Sequence, residues 1–164
     1  MRKFRTAFVL LLSFFIVNTG FVQDEHDAAQ LLGRVHVKML QSSPRFGWFS
    51  ANYTNYTCQA SAIEQLTKIT PAISFIAFAG TWDNASQQLL PQFYRSLDEA
   101  KINRARVLLY FLDRDKKSPQ GFEGEYLIHT VPCFIILKGG EEIGRISGNQ
   151  STSIEGQLAD ILLK

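Results

Sequence analysis

The hydrophobic pattern is most regular in the second half of the chain. Residues 73–79, Ile-Ser-Phe-Ile-Ala-Phe-Ala, form an almost unbroken apolar run, the pattern of a strand buried on both faces. Residues 85–100 place Leu89, Leu90, Phe93 and Leu97 on one stripe, which predicts an amphipathic helix. A second β-rich run follows at 106–112, then a weak helical stretch at 120–128. Residues 134–137 and 142–147 are two strands joined around Lys138-Gly139-Gly140-Glu141, a hairpin signal. A closing helix over 153–163 has Ile154, Leu158, Ile161 and Leu162 on one side. The order β-α-β-α-β-β-α, with a crossover helix after the first strand and an antiparallel hairpin near the end, predicts an α/β fold with a mixed central sheet flanked by helices.

The first half is less regular. Asp24, Glu25 and Asp27 precede Ala28, Leu31, Leu32, Val35 and Met39 at roughly helical spacing, so a helix is expected over 24–41, with Gly33 as a weak point. Residues 42–57 combine Pro44 and Gly47 with Phe46, Trp48, Phe49, Tyr53 and Tyr56, which predicts a loop held on the domain by its rings. Ala62, Ile63 and Leu66 give a short helix over 58–68, closed by Pro71. At the start, Arg2, Lys3 and Arg5 lead into the apolar residues 7–17 and then Asn18, Thr19 and Gly20, the pattern of a secretory signal peptide over 1–22. That run falls short of the roughly 20 apolar residues a spanning helix needs, so membrane contact is expected only through an uncleaved anchor. The expected organisation is a signal at 1–22, a helical and aromatic extension at 23–70, and an α/β domain at 71–164.

Charge changes the picture once the signal is set aside. It carries three of the 17 basic residues and none of the 15 acidic ones, so 14 against 15 leaves a net charge of −1. Residues 114–117, Arg-Asp-Lys-Lys, are the one short basic run, and acid interrupts them, so nucleic acid is not an expected partner. Two cysteines, Cys58 and Cys133, stand far apart with no C-x-x-C or C-x-x-H spacing, which excludes a structural zinc site. Export leaves a disulfide between them open, because sequence does not give the Cα separation that a bridge requires. Four N-x-S/T sequons, at Asn52, Asn55, Asn84 and Asn149, are read as chance matches.

Two segments carry a more specific signal. Residues 78–86 read Phe-Ala-Gly-Thr-Trp-Asp-Asn-Ala-Ser, with Pro91 further on, and residues 130–140 read Thr-Val-Pro-Cys-Phe-Ile-Ile-Leu-Lys-Gly-Gly. Over residues 73–163 this pattern resembles the thioredoxin-like family, in which a strand runs into W-C-x-x-C at a helix start and a cis-proline loop precedes the hairpin. Asp-Arg-Asp-Lys-Lys at 113–117 and Glu-Ile-Gly-Arg-Ile at 142–146 resemble segments of small exported bacterial members. The resemblance implies a thioredoxin-like fold, a periplasmic or other extracytoplasmic location and a cis Val131-Pro132 bond. It also implies that Asp83 and Ser86 stand where the family carries its cysteine pair.

Disulfide exchange needs an attacking thiolate and normally a second, resolving thiol. With Asp83 and Ser86 the expected function is a redox-inactive domain that binds an envelope protein or an extended peptide, with no cofactor and no metal. Its binding surface would be Trp82, Asp83, Ser86, Thr130, Val131 and Pro132. Asp83 is also read as a helix cap, since a carboxylate at a helix start accepts backbone N–H bonds. His129 is read as structural. The alternative is a residual thiol oxidoreductase or isomerase with Cys133 as its catalytic residue. The resemblance places that thiol against the helix start, where the dipole would lower its pKa and Asp83 would raise it. A third reading puts partner capture on the aromatic segment from Phe46 to Tyr56.

Overall fold

The computed structural model describes residues 30–69, 72–148 and 152–163. The expected signal, the start of the expected first helix and the Asn149 sequon lie outside them. Among the described residues five strands form one mixed sheet in the order β1-β3-β2-β4-β5. They are β1 (Gly33–Val35), β2 (Ile73–Ala79), β3 (Val107–Phe111), β4 (Cys133–Lys138) and β5 (Glu141–Ser147). β2 and β3 are parallel, and every other pairing is antiparallel. The helices are α1 (Lys38–Ser42), α2 (Gly47–Asn55), α3 (Ala60–Leu66), α4 (Asn84–Glu99), α5 (Phe122–Glu125) and α6 (Ile154–Leu162).

The period-2 geometry of β2 divides the core. Ile73, Phe75, Ala77 and Ala79 join the larger apolar cluster, while Ile76 and Phe78 join a second cluster on the opposite face. In the larger one, Phe93 of α4 stacks on Phe134 of β4 at 4.6 Å and meets Phe75 edge-on at 5.6 Å. Rings buried in this way contribute about 3–5 kcal/mol each against alanine. The second cluster gathers Tyr110, Leu112, Ile128, Val131 and Cys133 under Trp82, Phe122 and Tyr126.

Two expectations for the first half are corrected. Within 24–41 the chain does not continue as one helix: Gly33–Val35 is an edge strand paired with β3, and only Lys38–Ser42 is helical. Gly33 sets this break, because its φ of +76° is left-handed and a Cβ there would lie 2.4 Å from Gln120 Oε1. The expected aromatic loop over 42–57 is instead a 3-10 turn at Pro44–Phe46 followed by α2. Phe46 and Phe49 are buried in the larger cluster, with Trp48, Tyr53 and Tyr56 packed against it. These rings seat residues 46–56 on the same core as β2 and α4.

Pro91 sits inside α4 and cannot donate to the carbonyl of Gln87 four residues back. Asn52 of α2 supplies the missing donor, its Nδ2 lying 3.0 Å from Gln87 O. A second tie is Glu155 of α6, whose carboxylate is fully buried. It accepts from Tyr56 Oη at 2.7 Å, the Gln59 N–H at 2.8 Å and Ser96 Oγ at 3.2 Å. The extension, α4 and α6 thus meet at one anion.

Candidate functional site

β2 runs through Gly80, Thr81, Trp82 and Asp83 directly into α4. Asp83 is extended at φ −98° and ψ 120°, the geometry of an N-cap. Its Oδ2 accepts from the Ser86 N–H and from Ser86 Oγ, both at 2.6 Å. Ser86 Oγ in turn accepts from the Gly80 N–H at 3.1 Å, and Ser86 is fully buried. A chain from backbone amide through hydroxyl to carboxylate therefore closes the first turn of the helix. Gln87 reinforces it, donating from Nε2 to Thr81 O at 2.7 Å.

Trp82 is half-buried and oriented by two contacts. Its Nε1 donates to Leu112 O at 2.9 Å, and the Arg114 guanidinium lies over its ring at 5.7 Å. The indole folds back on Gly80, where a Cβ would lie 2.8 Å from the ring, so glycine is needed for this close approach. Arg114 was not among the expected site residues. The sequence offered only its place in a charged run.

The register Phe78↔Cys133 sets the start of β4 beside the end of β2, so the loop before β4 and the start of α4 share one end of the sheet. In that loop the Val131-Pro132 bond is cis. Thr130 and His129 are exposed, while Val131 and Pro132 are buried. Pro132 O accepts from the Gly148 N–H at 2.9 Å. Among the described residues, no turn or loop bond uses the backbone groups of Thr130 or Val131.

The two thiols are both free. Cys133 is buried in the second cluster, with Sγ 3.3 Å from Ser147 Oγ. Burial raises its pKa, and the charges that act on it are Arg145 and Glu142 of β5, not Asp83. The expected contest between helix dipole and Asp83 over this thiol is thus replaced by desolvation. Cys58 lies elsewhere, 3.7 Å from Ser96 Oγ, and its pKa is pushed up to about 11, chiefly by burial. A thiol held protonated is a poor nucleophile. Among the described residues no group of three or more His, Cys, Asp or Glu side chains could hold a metal ion. Nor is any described helix long and apolar enough to cross a membrane.

The end of the sheet therefore presents a capped helix start, a positioned indole under a guanidinium, and a short stretch of backbone, Thr130 and Val131, that makes no turn or loop bond to another described residue. Such a surface can bind an extended segment through backbone hydrogen bonds and stacking.

No family model matches the chain. Bovine and porcine thioredoxins are each 24% identical to it over 99 residues, which is 60% of this chain and 89% of each relative. Among solved structures, a Pseudomonas aeruginosa protein of unknown function superposes with a TM-score of 0.54 at 11% identity, covering 76% of both chains. A Halobacterium salinarum thioredoxin carrying one substitution gives a TM-score of 0.39 at 19% identity, over 65% of this chain and 83% of its own.

Proposed function

We propose that this chain, a member of the thioredoxin-like family, is an exported domain that binds a protein or an extended peptide without disulfide chemistry. The observation that carries the reading is the start of α4. Where family members would hold their two sulfurs, Asp83 and Ser86 satisfy each other and the Gly80 amide, so the first turn is closed by oxygen. The remaining thiols support it, since both are free and raised in pKa by burial. Trp82, Asp83 and Ser86 with Thr130, Val131 and Pro132 form the proposed binding surface. Ser86 acts from beneath by fixing Asp83, and Arg114 lends a positive edge. Export rests on the apolar pattern of residues 7–17 after Arg2, Lys3 and Arg5.

A thiol enzyme working through Cys133 has no supporting geometry: its sulfur faces Ser147 within the apolar cluster. The test is reduction of insulin disulfides by the purified chain with dithiothreitol as electron donor. The expected rate is that of dithiothreitol alone. A rate equal to that of an established thioredoxin would overturn the reading. Binding is then measured with peptide arrays, where Trp82→Ala should abolish capture that the unaltered chain shows.

A further inference from the structure

A pocket of about 280 Å³ opens at the other end of the sheet from the site above. Its position follows from the strand register: Ile73 pairs with Lys138 there, five residues along from the Phe78–Cys133 pair. At roughly 3.3 Å per residue the two ends are about 17 Å apart. The walls come from α3 and the residues after it, the ends of β2 and β4, β5 and α6, and are largely aliphatic, with Leu66, Ile69, Ile143 and Ile161 among them. Ile143 remains 41% exposed, a branched apolar side chain left open to solvent at the edge of a cavity.

The polar lining has one sign of charge. Among the described residues, two lysines, Lys68 and Lys138, line the pocket, and no Asp or Glu does. Lys68 is 3.6 Å from Glu64, but the side chains are 69% and 76% exposed, so the pair is weak and easily displaced. Lys138 makes no ion pair among the described residues. Ligand pockets usually begin at about 300 Å³, so this volume suits one flexible hydrocarbon chain better than a ring system or a peptide. Aliphatic walls select the chain, and the two lysines on the lining select an anionic head.

We propose that this pocket binds a small anionic amphiphile, a medium-chain carboxylate whose tail lies against Ile143 and Ile161 and whose head is held by Lys68 and Lys138. The site is separate from the peptide surface and does not depend on it. Decanoate is the probe, titrated below its micelle concentration into the purified chain and followed by the methyl NMR signals of the isoleucines and by calorimetry. Saturable one-to-one binding is expected, with the Ile143 and Ile161 signals moving. Octanoate should bind about tenfold more weakly, as the loss of two buried methylenes requires. Combined Lys68→Gln and Lys138→Gln, both at exposed positions, should weaken decanoate at least tenfold while the far-ultraviolet circular dichroism stays unchanged. Decyltrimethylammonium, with the opposite charge on the same tail, should not compete. The proposal fails if decanoate does not saturate, if the glutamine variant binds it equally well, or if the cationic amphiphile binds as tightly. It fails too if sedimentation shows a dimer whose dissociation alone accounts for the signals.

Discussion

Replacing Glu155 by alanine should destabilise the protein by about 2–4 kcal/mol. The carboxylate is fully buried and accepts three hydrogen bonds, from Tyr56, Gln59 and Ser96. Bonds to a charged group contribute about 1.5–3 kcal/mol each, but burying the ion costs several kcal/mol, so only part of the sum survives. Two donors lose their partner in Glu155→Ala. Ser96 does not, since its hydroxyl can also donate to Gln92 O at 2.9 Å. The position in the first turn of α6 adds about 0.3–1 kcal/mol of favourable interaction with the helix dipole. Urea unfolding followed by tryptophan fluorescence measures the change, with the midpoint falling at constant slope. Tyr56→Phe should lose less than Glu155→Ala, and the double variant should lose less than the sum, because both remove the same bond. A Glu155→Ala change smaller than 1 kcal/mol, or additive effects in the pair, would refute the view that this anion ties the extension to the domain.

Asn52→Ala should cost about 1–2 kcal/mol in the same assay, because it leaves the Gln87 carbonyl unanswered at a turn already short of a donor. Asp83→Ala should cost about 0.5–2 kcal/mol as the loss of a cap, measured by thermal unfolding, and peptide capture should fall with it. Iodoacetamide should label native Cys58 about a hundredfold more slowly at pH 8 than a thiol with the ordinary pKa of 9.0, since a value of about 11 leaves a hundredth of the thiolate; equal rates would contradict the burial. The same shift sets a pH dependence. The folded state holds the proton more tightly than the unfolded one, so this contribution is complete below pH 9 and declines as pH rises through about 11. Alkaline urea titrations of the unaltered chain and Cys58→Ser should converge over that window.

Legibility followed the range of the interactions. β2 was visible because a strand buried on both faces must be apolar throughout, and α4 because one stripe faces the core. α2 was not, since Gly-Trp-Phe-Ser-Ala-Asn-Tyr-Thr-Asn has neither a helical stripe nor a side-chain cap. Packing of Phe49 against Tyr94 at 6.0 Å and the bond from Asn52 decide its form, and both partners lie on α4. β1 was hidden by apolar spacing that suits a helix, which the left-handed Gly33 then breaks. At the site, the Asp83 cap could be read from residue type and place. The contacts of Trp82 with Leu112 and Arg114 could not, because they join residues about thirty positions apart. The Glu155 cluster, spanning 59 to 99 positions, left no local trace.

The bond between Asn52 and Gln87 bears on when this side chain can be altered. Its amide nitrogen is the atom that a sugar would take at an N-x-S/T sequon, and in the folded protein that nitrogen is already committed to the Gln87 carbonyl. A glycan added before folding would stand where α2 must close on α4. A sugar on Asn52 and the bond to Gln87 would need the same atom, so the folded structure agrees with reading this sequon as a chance match.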